Sequence, residues 1–216
     1  MTLEFFLTQH PRLTRSLKKF IADYEAQLDA QTFTAFLYNL DEEITNQANL
    51  FASLPTHEDR ARTLHKLVEE ETAKATDVPL SCQKGCSACC HMEVEVTSYE
   101  AEILKNLVQK GHPIDHQRLQ AQSQRELQDP QWKQGPRNHA SQCVFLKDNT
   151  CSIYEHRPVM CRRHSVSTPP KNCETLEAPI TVRYFPRVDL LISAANEDQN
   201  MKIGPLAKML SLSLQP

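Results

Sequence analysis

The run Cys82-Gln83-Lys84-Gly85-Cys86-Ser87-Ala88-Cys89-Cys90 carries four thiols in nine residues. It is too rich in turn-forming and thiol residues for a regular helix. Thiolates are soft ligands that suit zinc, copper(I) and iron–sulfur clusters. Close spacing lowers the loop entropy of gathering them around one centre. Gly85, just before Cys86, allows the chain to turn tightly and bring backbone N–H groups toward sulfur. A second set, Cys143, Cys151 and Cys161, follows, with Cys173 trailing behind. Eight thiols allow two arrangements: two four-coordinate sites that use all of them, or one site that draws on both sets and leaves thiols spare. Adjacent Cys89 and Cys90 would strain the shell of a single zinc ion, so they are expected to point to different places. His91 and His164 stand near enough in sequence to substitute as ligands.

The rest of the composition narrows the alternatives. With 216 residues the chain can bury a core without disulfides to hold it. Its net charge of -3 argues against a nucleic-acid binder held by a broad basic surface. The N-terminus has no basic segment, and its apolar run, Phe5 to Leu7, is far shorter than a secretory core. No stretch approaches the ~18 apolar residues of a membrane span. The expected compartment is therefore the cytoplasm, where thiols stay reduced and metal ligation is the commonest use of clustered cysteines. The four glycines, Gly85, Gly111, Gly135 and Gly204, are too isolated for a phosphate-binding loop.

Working outward from the cluster, residues 11–76 read as three amphipathic helices, with apolar stripes such as Leu13, Leu17, Phe20 and Ile21, then Phe33, Leu37, Leu40 and Ile44. Thr56 and Asp59 resemble a capping box ahead of Leu64, Leu67 and Val68. Pro79 ends this region. Val94 and Val96 alternate with acidic residues, which predicts a short strand. Thr97 and Glu100 then open a helix that Gly111 closes. A polar helix is expected over 115–127 and a loop over 128–141. Cys143–Leu146 reads as a strand, Lys147–Thr150 as a turn, and Cys151–Tyr154 as its continuation. Pro158 suits the first turn of a short helix that carries Cys161, and one or two helices are expected from Pro186 onward. The expected architecture is mainly α with a small, irregular α+β cysteine-rich metal-binding core. Its parts are a helical region at 1–79, a cysteine domain at 80–175 and a tail at 176–216. The helices before Pro79 contain no cysteine, so a fragment starting near residue 78 is expected to keep the metal site.

The pattern Cys-x3-Cys-x2-Cys-Cys, Val-x-Val-Thr-x-x-Glu, Cys-x-Phe-Leu, then Cys-x-Ile-Tyr-Glu-x-Arg-Pro-x-x-Cys-Arg resembles the CxxCxxCC cysteine-cluster family, a zinc- or iron-chelating domain of YkgJ type. The resemblance spans residues 80–165 and implies a metal-binding role for Cys82, Cys86, Cys89, Cys90, Cys143, Cys151 and Cys161. The family is also similar to the flagellin lysine methylases, which makes an enzyme one of the readings.

Three functions compete. The first is a metal-binding protein that holds zinc or iron, including a [4Fe-4S] cluster, with no nucleic acid, no membrane and an open question of a protein partner. The second is an iron–sulfur enzyme of redox or methyl-transfer type. Cys82-x3-Cys86-x2-Cys89 has the radical-SAM spacing, yet helices precede it and no alternating βα pattern follows. The third is an interaction module stapled by metal. Whichever holds, buried thiolates need charge compensation. At least one of Arg157 and Arg162, which flank Cys161, is expected to donate hydrogen bonds to sulfur or nearby carbonyls.

Overall fold

Short oxygen-bearing side chains start the helices. The computed structural model describes residues 1–77, 79–133, 139–175 and 178–215. Thr2, Thr14, Asp29 and Thr56 accept backbone N–H bonds at the starts of α1 (Leu3–Gln9), α2 (Arg15–Glu25), α3 (Ala30–Ser53) and α4 (His57–Ala73). α2 to α4 are the three helices that the periodicity predicts. α1 is an addition: its stripe is too short to register, but Phe6 is fully buried. The protein is mainly α-helical, with two two-stranded sheets and an isolated antiparallel bridge between Val166 and Val182 among the described residues. No helix among those residues is long and apolar enough to cross a membrane.

The chain divides into two units, Met1–Lys74 with Tyr184–Met201, and Ala75–Arg183 with Lys202–Pro216. The first is a helical bundle built around a late helix, α8 (Pro186–Asn196), which packs on α2, α3 and α4. Val188, Leu190, Leu191 and Ile192 of α8 are all buried, and so are its polar Asp189 and Ser193. A helix buried on every side belongs in the middle of a core. Its polar groups are satisfied there: Thr14 Oγ1 donates to Asp189 at 2.6 Å, and the Thr14 amide donates to Ser193 Oγ at 3.0 Å.

The second unit holds every cysteine. β1 (Glu95–Thr97) pairs antiparallel with β4 (Ile203–Pro205), and α5 (Ser98–Gln109) packs against α9 (Leu206–Leu214). Val96, Ala101, Leu104, Phe145, Ile153 and Leu210 lie in one apolar cluster, and Cys143 and Cys151 pack on its edge. Thr97 and Glu100 form a complete capping box. At the other end of α5, Gly111 adopts φ +92°. His112 N–H bonds Leu107 O at 3.0 Å and Gly111 N–H bonds Val108 O at 2.9 Å, the two bonds of a left-handed C-terminal cap.

Three local expectations need correction. The polar helix, α6, is shorter than expected and runs His116–Gln122. The segment at Cys143 is a turn, closed by Leu146 N–H to Cys143 O at 3.0 Å, and the strand β2 is only Leu146–Lys147. Val144 and Phe145 are adjacent and both buried, which a strand with one wet face does not permit. The loop expected over 128–141 contains two short 3₁₀ turns, Pro130–Lys133 and His139–Ser141; its residues 134–138 lie outside the described residues.

Because α8 is the centre of the first unit, a fragment starting at residue 78 strips it of α2, α3 and α4. Each of its buried aliphatic side chains then loses roughly 1.5–3 kcal/mol of burial. Such a fragment is expected to aggregate or to bind a hydrophobic dye strongly. A monomeric fragment with no dye binding, judged by light scattering and fluorescence, would contradict the central place of α8.

Candidate metal centre

The first cysteine run is shaped by one turn and one short helix. Gly85 sits at φ +96°, a left-handed conformation that a Cβ would strain. Cys86 N–H closes the turn on Gln83 O at 3.0 Å. Ala88–His91 then form a 3₁₀ turn, with Cys90 N–H bonded to Ser87 O at 2.9 Å. Adjacent Cys89 and Cys90 do not point to different places as expected: this tight winding leaves their thiols within hydrogen-bond reach of each other. Cys82 lies on an extended segment: Ser81 N–H donates to Val166 O at 2.8 Å, and Val166 N–H donates to Cys82 Sγ at 3.3 Å.

The second set arrives from separate elements. Cys143 N–H donates to Cys90 O at 2.7 Å. Side chains of α6 hold this segment in place. Arg118 donates to Cys143 O at 3.0 Å and to Gln142 Oε1 at 2.7 Å, and Gln122 donates to Gln142 O at 2.7 Å. Cys151 sits on β3 (Thr150–Cys151), opposite Leu146 in a hairpin. Its two turn residues, Asp148 and Asn149, have φ of 49° and 56°, the twist that matches paired strands. Cys161 is on α7 (Val159–Arg163). Cys173 lies in the 3₁₀ turn Pro170–Glu174, which packs against the turn bearing Cys89 and Cys90.

All eight thiols are partly buried and none is in a disulfide. The Cys90 sulfur lies within hydrogen-bond reach of both Cys89 and Cys151. Hydrogen bonding by Cys90 draws Cys89 and Cys151 each down to about 7, with the Arg157 charge assisting. The same bonds, and burial, push Cys90 strongly upward. Burial raises Cys143 to about 12 and carries Cys161 well above the ordinary thiol range. Cys82 and Cys173 are also raised, mainly by burial. Cys89 interacts electrostatically with both sets: with Cys82 and Cys173 on one side, and with Cys143, Cys151 and Cys161 on the other. The thiols are gathered but not clenched, because no group of three or more potential ligands among the described residues is close enough to enclose an ion. Of the two histidines, His91 is buried with Nε2 3.3 Å from Gln142 Nε2. Burial and the Arg163 charge push His164 downward.

The supports include residues that the cysteine pattern alone does not reveal. Glu100 is 1 % exposed and joins two helix starts. One carboxylate oxygen accepts from Val159 N–H at 2.6 Å, and the other accepts from Thr97 N–H at 3.0 Å. The Thr97–Glu100 signal foretells the second contact but not the bridge to α7. Arg162 is buried and donates to Arg157 O at 2.8 Å and to Glu155 O at 2.6 Å, as expected of an arginine that flanks Cys161.

Residues 81–185 match the family model CxxCxxCC, described as a "Putative zinc- or iron-chelating domain". No curated protein and no solved structure gives a significant match to the chain.

Two outcomes follow from this geometry. Glu100→Ala leaves the Val159 and Thr97 amides without their buried acceptor and should cost roughly 1.5–3 kcal/mol, the range for a hydrogen bond to a charged group. Urea unfolding of the metal-free protein measures it, and an unchanged midpoint would contradict the bridge. In reduced, metal-free protein at pH 7, iodoacetamide should modify Cys89 and Cys151 before Cys143 and Cys161. Lowered pKa values place thiolate on the first pair at neutral pH, and raised values withhold it from the second until the solution is alkaline. Mass mapping across pH 6–10 tests the order, and uniform modification would overturn it.

Proposed function

We propose that the second unit is a thiolate metal centre that holds zinc or iron, the latter including a [4Fe-4S] cluster, through Cys82, Cys86, Cys89, Cys90, Cys143, Cys151, Cys161 and Cys173. The observation that carries this reading is the convergence, around Cys89, of thiols from segments up to about ninety residues apart, all of them free. The match of residues 81–185 to a family model described by zinc or iron chelation supports it. The donor chemistry fits: soft sulfur, partial burial that limits solvent access, and N–H groups such as that of Val166 already directed at sulfur.

The chain's own groups then do three things. The turns at Gly85 and Asp148–Asn149 present sulfur from tightly turned backbone. Buried Cys143 and Cys161 give up protons only in exchange for metal, because burial disfavours their free thiolates. Cys90, hydrogen-bonded to Cys89 and Cys151, keeps the ligands together before they close on an ion. A bound zinc ion would act as a closed structural centre, and an iron–sulfur cluster would add electron transfer. A reducing compartment such as the cytoplasm would keep the thiols available. The function needs neither nucleic acid nor a membrane.

Anaerobically purified protein should carry stoichiometric zinc or iron by elemental analysis, with sulfide assay and visible absorption to tell the two apart. Because bound thiols must lose protons, metal should be retained at pH 8 and released as the pH falls toward 5. Folded protein with no zinc or iron, or with pH-independent retention, would refute the reading.

A further inference from the structure

Arg157 is held at both ends. Its guanidinium carbon lies 3.9 Å from the centre of the Tyr154 ring, well within cation–π range. Its carbonyl accepts from Arg162 Nε at 2.8 Å, and Pro158 follows directly. Tyr154 stands three residues after Cys151 and begins the 3₁₀ turn Tyr154–His156, so the ring that positions the guanidinium is tied to the ligand-bearing hairpin. Between these two anchors, Arg157 Nε is fully buried and has no hydrogen-bond acceptor among the described residues. A buried N–H without an acceptor is costly, so its persistence calls for one. The nearby sulfurs that feel its charge are Cys89 and Cys151.

Four thiolates around a divalent zinc ion, or around a doubly positive four-iron cluster, leave a net charge near -2 by addition. Such charge in a partly buried site requires a counter-charge. We propose that Arg157, held against Tyr154, is the charge-compensating residue of the thiolate centre and donates a hydrogen bond to the sulfur of Cys89 or Cys151 when metal is bound. This inference rests on the metal-binding reading above. It separates the roles of two arginines. Arg162 holds backbone carbonyls and shapes the turn, whereas Arg157 supports the ligands' charge. Lysine would keep the charge without the planar N–H fork.

The test uses the full chain, loaded anaerobically with zinc(II) for chelator competition and with cobalt(II) for spectroscopy. Arg157→Ala should weaken zinc binding about 10- to 100-fold, the usual loss when a group hydrogen-bonded to a ligand is removed. Arg157→Lys should recover part of that loss. Tyr154→Leu, which keeps the arginine but removes its platform, should lie between Arg157→Ala and the wild type. A hydrogen bond to sulfur lowers the energy of its donor electrons. The sulfur-to-cobalt charge-transfer band should therefore move to longer wavelength in Arg157→Ala, a change that loosened packing alone does not predict. Should Arg157→Ala not fold, as judged by circular dichroism, Arg157→Lys and Tyr154→Leu carry the same comparison. Unchanged affinity, or weakened affinity with an unmoved band and no recovery by lysine, overturns the role of Arg157 while leaving the metal centre in place. Wild-type protein that binds neither metal overturns both.

Discussion

The Cys143 amide donates to the Cys90 carbonyl at 2.7 Å, and this backbone bond brings the two cysteine sets together. Without it, the run at 82–90 and the hairpin at 146–151 would be separate turns carrying thiols on opposite sides of a long excursion. Much of the second unit protects that junction. Arg118 and Gln122 of α6 fix the carbonyls around residue 142, and the apolar cluster around Phe145 and Leu210 seats the turn that follows Cys143. Sulfur can approach sulfur because the backbones beneath are already bonded.

Charged side chains act as backbone partners throughout this unit. Buried Glu100 accepts from the amides that open α5 and α7, and buried Arg162 donates to the carbonyls that precede α7. Their charges do not face water, so they must be matched locally. Together they set where Cys161 stands relative to the hairpin. The same economy governs the first unit, where Asp189 and Ser193 on buried α8 receive the hydroxyl and the amide of Thr14. In both units a polar residue inside the core specifies which helix end meets which neighbour.

Signals local to a few residues translated well. Helical stripes and short polar caps located α2 to α5. The Thr97–Glu100 pair and Gly111 marked both ends of α5, because capping needs only residues within one turn. The Asp148–Asn149 turn was legible for the same reason. The strand expected at Cys143 was not found, since consecutive apolar residues look alike whether a strand or a buried turn uses them. The seven-residue α1 escaped because its pattern is shorter than the period that identifies a helix.

Composition alone determined that this chain carries far more thiol than a reduced, disulfide-free core requires, and spacing alone marked Cys82 to Cys90 as one functional run. Tertiary structure decided the rest. It placed Cys173 beside the first run, set Cys90 between Cys89 and Cys151, brought Glu100 to α7 and stacked Arg157 on Tyr154. It also assigned Tyr184–Met201 to the helical unit and Lys202–Pro216 to the cysteine unit. The reason is physical. Caps, turns and ligand runs depend on neighbours within a few residues, which a sequence displays directly. Pairings across long separations depend on which apolar surfaces exclude water together, and that is settled only when the whole chain packs.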